Sequence, residues 1–171
     1  YAFQTQIFFL LSRYQQQRRA VPEILAKGDN LIADYTFEKD ALFARINLRG
    51  DELEMYYRVH EALAEKIPQP DLIVYLRAGT DVLMQRIAQR DRSYERNMER
   101  EYIHRLNQEY ESFFTGPGQA RHPAPVLVVD TDHLDYVRNP DDLKWVENRI
   151  RQALKLAPFQ RELPLEIAEQ T

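Results

Sequence analysis

Cysteine is absent from the 171 residues, which excludes a disulfide scaffold and a thiolate metal site and fits a reducing cytoplasm. No apolar run approaches the roughly 18 residues that a membrane-spanning helix needs, so no membrane partner is expected. An excess of positive charge is missing too. With 27 acidic and 23 basic side chains the formal net charge is −4, so no overall basic field draws the chain to nucleic acid. Glycine is scarce, limited to Gly28, Gly50, Gly79, Gly116 and Gly118. None of them builds the G-x-x-x-x-G-K-[ST] loop that cradles phosphates. There is no initiating methionine, no signal-peptide pattern, no internal repeat and no low-complexity tract.

What is present describes one domain with a real core, 44% apolar and 29% charged. Residues 2–19 are predicted helical, because Phe3, Ile7, Leu10, Leu11 and Tyr14 recur at helical intervals. Phe8 and Phe9 widen the stripe, so the first half is expected to be largely buried. Gln4 inside it is either a surface amide on the polar edge or an amide aimed at a nucleobase edge, since a buried amide must be paired. Turn residues at 27–30 lead to residues 31–35, read as a short strand ending near Asp34. Beyond a parallel strand's carboxyl end, Asp34 would suit a hydrated Mg²⁺ or a hydroxyl; the alternative is a cap for the helix starting near Phe37.

Further helices are expected at 37–44, 51–66, 81–90 (with Thr80 as cap), 97–114 and 139–156, and buried strands at 71–76 and 125–130. His60 is expected to be packed or partly exposed, without a metal role. The alternation argues for an α/β fold, an open parallel sheet with helices on both faces, although three visible strands are few for one. The domain is placed at residues 1–157, with 158–171 as a C-terminal tail.

The densest chemistry lies between the second strand and the 97–114 helix: Arg86, Arg90, Arg92 and Glu95. Arg86 and Arg90 fall one turn apart on one helix face, and Arg92 follows just past its end. Guanidinium forks fit phosphate oxygens, so the segment reads as a phosphate clamp. The plainer alternative is a set of arginines complementing a helix dipole.

Taken together, these residues resemble the deoxynucleoside kinase family, P-loop enzymes that use ATP and Mg²⁺ to phosphorylate the 5′-hydroxyl of deoxyribonucleosides. The likeness runs to about Leu156. Phe3-Gln4-Thr5 and Leu11-Ser12-Arg13 are similar to the family's base-binding helix, with two more residues between Gln and Ser-Arg than the animal enzymes have. The resemblance implies that Gln4 and Arg13 bind substrate and that Phe43, followed by Ala44, stacks on the base. It implies that Asp34 helps hold Mg²⁺, that Arg86, Arg90 and Arg92 act on the donor phosphates, and that Glu95 takes the sugar 3′-hydroxyl. Asp132, His133 and Leu134 correspond to the loop beside the adenine of ATP. A homodimer is implied as well, with the helices at 51–66 and 140–156 as its candidate surface.

Two departures stand out. Tyr35-Thr36 follows Asp34 where the family has an arginine, leaving Lys39 or Asp40 as partial substitutes. The phosphate-binding loop, the general base and the first strands would belong upstream of Tyr1, in a unit of at least ~30 residues. The chain as given is therefore expected to be inactive alone. Alternatives kept open are a thymidylate-type monophosphate kinase and a non-catalytic kinase-like subunit.

Overall fold

Helix formation follows the apolar periodicity closely in the computed structural model, which describes residues 1–119 and 124–156. Helix α1 spans Ala2–Leu25, α2 Lys39–Asn47 and α3 Gly50–Ala64. Strand β1 (Ile73–Arg77) leads into α4 (Thr80–Arg90); α5 (Arg100–Phe114) and the single turn α6 (Gly116–Gln119) precede β2 (Val126–Asp130) and α7 (Pro140–Ala153). The tail, 158–171, lies outside the described residues.

Boundaries differ from expectation for local reasons. Helix α1 runs on past residue 19 with Pro22 inside its last turn, where a missing N–H costs a single hydrogen bond. Gly79, not Thr80, is the N-cap of α4. Thr80 is the first helical residue, buried, and its hydroxyl shares a 3.1 Å hydrogen bond with His104 Nδ1 on α5. Asn139 does cap α7, its side chain accepting from Asp141 N at 3.0 Å. Gly50 opens α3 with φ +54°, a conformation that favours glycine.

The strand expected at 31–35 is not one. The segment is irregular, Ile32 is 96% exposed, and no described strand pairs with it. A strand requires a hydrogen-bonded neighbour, and apolar β-branched content alone cannot supply one. The sheet among described residues is thus β1 and β2, parallel, with Ile73 opposite Val126 and Arg77 opposite Asp130.

Two apolar cores share α2 as their joint. Leu10 and Tyr14 of α1 meet Phe37, Ala44, Leu48, Tyr56 and Ile67 in the first. Leu42 of α2 meets Ile73 and Tyr75 of β1, Phe114 of α5, and Ala124 in the second. Burying each such leucine contributes about 1.5–3 kcal/mol. α5 covers one face of the strands, while α7 lies against β2. The expected burial of the first half of α1 is not met. Phe8 is 67% exposed, because only the Phe3, Ile7, Leu10, Tyr14 stripe faces α2 and α3.

Candidate active site

The candidate residues gather in two groups and a connecting loop. The first group forms where α1 crosses the start of α2. Arg13 Nη1 donates to Asp40 Oδ1 at 2.6 Å, and Asp40 is only 3% exposed. The Arg13 guanidinium lies 4.1 Å from the centre of the Tyr35 ring, close enough for a cation–π contact. Burial pushes the Asp40 carboxyl above its usual range, against the pull of Tyr35 and Arg13. Burial likewise raises the Tyr35 phenol, with Asp40 adding to the effect. For Arg13, burial acts to lower the pKa and neighbouring Tyr35 and Asp40 more than offset it. A buried carboxylate beside a guanidinium is held charged only while both keep their partners.

Gln4 and Phe43, the other residues read as base contacts, do not join this ion pair. Gln4 is exposed on the first turn of α1, and Phe43 is half-buried on α2. Asp34 is exposed in the bend before α2; its charge supports Lys39, whose pKa burial lowers. His60 is buried in the adjoining core, stacked on Phe37 at 4.7 Å, and donates through Nε2 to the Phe37 carbonyl at 3.3 Å.

The second group is the segment between α4 and α5. Asp91 closes α4 in the left-handed conformation, turning the chain so that two interleaved ion pairs form. Arg90 reaches Glu95 Oε2 with Nε at 3.1 Å and Nη2 at 2.6 Å. Arg96 forks onto Asp91 at 2.7 and 2.9 Å. Arg92 Nη1 stands 3.8 Å from Glu95 Oε1. Glu95 is 7% exposed although both arginines are about half exposed. One buried carboxylate thus gathers two guanidinium groups and leaves an excess positive charge facing outward.

Arg86 sits elsewhere. Its Nη1 donates to Thr131 Oγ1 (2.9 Å), and Nη2 donates to the carbonyls of Thr131 (2.5 Å) and Leu134 (3.2 Å). It therefore ties α4 to the loop after β2 instead of joining Arg90 and Arg92. In that loop, Asp132 Oδ1 accepts from Gly79 N at 2.7 Å, Leu134 is half-buried and His133 exposed. Arg77 completes the strand ends, donating to both Asp130 oxygens at 2.5 and 2.8 Å and to Glu111 of α5 at 3.1 Å.

Thr131 and Arg77 escaped the sequence reading as site-building residues, and Asp40 entered it only as a partial substitute for the arginine missing after Asp34. Asp40 had one signal: a lone acid beside Ala41, Leu42 and Ala44 on a helix face that must be buried. Thr131 and Arg77 had none, since their side-chain partners lie 34 to 54 residues away.

Parallel strands with the 131–134 loop beyond their carboxyl ends fit an α/β protein, and the likeness to solved deoxyadenosine kinase structures puts it in the P-loop-kinase-like class. The family model described as deoxynucleoside kinase matches residues 1–155. Deoxyguanosine kinase of Bacillus subtilis (strain 168) is 32% identical over 154 residues, which cover 90% of this chain and 74% of that protein. Deoxyadenosine kinase of Lactobacillus acidophilus is 27% identical over 169 residues, covering 91% of this chain and 74% of the relative. Deoxyadenosine kinase from M. mycoides with bound dATP superposes with TM-score 0.69 at 26% identity, over 88% of this chain and 74% of that one. The chain belongs to the deoxynucleoside kinase family, and by class it is a kinase.

Proposed function

We propose that the full-length protein transfers the γ-phosphoryl group of ATP, presented with Mg²⁺, to the 5′-hydroxyl of a deoxyribonucleoside, serving nucleotide salvage in the cytoplasm as a homodimer. In that step the bond from the γ-phosphorus to the β–γ bridging oxygen breaks, ADP departs with that oxygen, a new bond forms to the 5′-oxygen, and the hydroxyl proton passes to solvent. The observation that carries the reading is Glu95: a buried carboxylate that gathers Arg90 and Arg92 on a segment between two helices. Such an arrangement can offer an acceptor to a sugar hydroxyl while its arginines face phosphate charge.

The remaining candidates take roles around that centre. Arg13 and Asp40 face the nucleobase, with Gln4 and Phe43 beside them. Arg90 and Arg92 meet the charge that builds on the transferring phosphoryl group. Arg86 supports the same end of the site by holding the 131–134 loop, where Asp132, His133 and Leu134 flank the adenine of the donor. Asp34 is an exposed carboxylate, and no cluster of three or more potential metal ligands occurs among the described residues. That donor set fits Mg²⁺ held mostly by phosphate oxygens and water, with one carboxylate assisting. When bound, Mg²⁺ supplies charge neutralisation at the phosphates.

The experiment is an ATP-dependent assay of the full-length protein with the four natural deoxynucleosides and their monophosphates. Conversion of at least one nucleoside to its 5′-monophosphate is expected. Turnover of monophosphates in preference would move the reading to a monophosphate kinase, and turnover of neither would leave a non-catalytic subunit.

A further inference from the structure

Unpaired polar atoms meet where α1 crosses α2. Tyr35 Oη, Asp40 Oδ2 and Tyr56 Oη are all buried without a hydrogen-bond partner among the described residues. They are neighbours: the Tyr35 hydroxyl and the Asp40 carboxyl influence each other at hydrogen-bonding range without the geometry of a made bond, and Tyr56 senses the charges of both Asp40 and Arg13. Arg13 itself is fixed, one edge bonded to Asp40 Oδ1 at 2.6 Å and its plane held against the Tyr35 ring at 4.1 Å. Buried polar atoms left open in a folded protein are costly, and a ligand that supplies partners is one remedy. Tyr35 also stands directly after Asp34, where the family resemblance places an arginine, so a neutral phenol here is a feature of this chain.

We propose that Tyr35 is a specificity-determining residue that lets the site accept bases carrying either an amino or an oxo group at the edge facing Asp40. This rests on the proposed function. The chemistry of the three groups gives the reason. Arg13 only donates and the ionised Asp40 only accepts, whereas a phenol does both and turns about a single bond. With an amino group on the base, Asp40 Oδ2 receives its hydrogen directly and Tyr35 is a bystander. With an oxo group, two acceptors would confront each other in a buried place. The Tyr35 hydroxyl relieves that conflict by donating to one of them. An arginine at position 35 would add a second fixed cation beside Arg13 and could only donate.

The test compares the parent with Tyr35→Phe on deoxyadenosine against deoxyinosine and on deoxycytidine against deoxyuridine, pairs that exchange an amino for an oxo group. Both kcat/KM and equilibrium binding without ATP, by calorimetry, are read. In Tyr35→Phe the amino-to-oxo preference is expected to rise about tenfold or more, mainly through losses on the oxo substrates. An unchanged preference, or an equal loss on all four, would overturn the assignment. So would a variant that no longer folds, because it would show the hydroxyl already committed within the fold. Binding needs no turnover, so a parent that binds these nucleosides but phosphorylates none would defeat the proposed function while still deciding the role of Tyr35. In an Asp40→Asn background, where the amide can donate to an oxo group, the same Tyr35→Phe change is expected to leave the preference unaltered.

Discussion

Tyr56 illustrates how burial and hydrogen bonding separate at the level of single residues. Its side chain is 0% exposed at the centre of the first core, yet its hydroxyl is unpaired among the described residues. Removing an unpaired hydroxyl forfeits no bond and relieves a desolvation cost. Tyr56→Phe is therefore expected to match the parent's unfolding free energy within about 1 kcal/mol or to exceed it, by chemical denaturation. A loss beyond about 2 kcal/mol would mean that the hydroxyl is bonded after all. The residues around Glu95 were legible in the sequence because their logic is local: Arg90, Arg92 and Glu95 sit within six positions of one another and meet in the fold. Arg86 shares that spacing, yet its partners come from the loop after β2. Helical spacing names the face on which a side chain starts and leaves its distant partner open. Arg13 was legible as a candidate; that it closes on Asp40 was not, because the pair spans two helices and 27 positions.

At the level of elements, periodicity located the long helices among the described residues, and apolar runs located β1 and β2, because both signals are written within one element. Residues 31–35 carried the same composition and formed no strand, since pairing depends on a neighbour that composition does not describe. Where β1 and β2 end, their register is reinforced by charge. Arg77 forks onto Asp130 across the ladder and also reaches Glu111 on α5. The fork holds the Asp130 carboxyl below its ordinary 3.8. A carboxylate with a lowered folded-state pKa contributes stability that is complete above its unfolded value and disappears as pH falls through the folded one. Asp130→Asn is thus expected to be less stable than the parent near neutrality, with the gap closing as pH falls below the ordinary carboxylate range. Denaturant titrations near neutrality and in strong acid measure it. A gap that persists in strong acid would show that the Arg77–Asp130 pair is not its source.

Over the whole molecule, two cores meeting at α2 place the Arg13–Asp40 pair on one side of the joint, while the second core joins β1 to α5, which follows the Arg90–Glu95 segment. Apolar side chains remain uncovered on the helices proposed to pair in a homodimer, Met55 of α3 and Leu143 and Trp145 of α7, each about half exposed. Sedimentation equilibrium of the full-length protein is expected to give twice the protomer mass, and Trp145→Glu is expected to shift it to the protomer. A monomeric parent would refute the pairing.

The central claim is that Arg90, gathered by Glu95, acts on the reacting phosphoryl group and not on nucleoside binding. It is tested most directly by Arg90→Ala in the full-length enzyme, with the single-turnover rate at saturating ATP and the nucleoside Kd measured separately. The rate is expected to fall by about a hundredfold or more while Kd changes less than about threefold, the pattern of an interaction made in the transition state. An unchanged rate, or equal losses in rate and binding, would contradict that role.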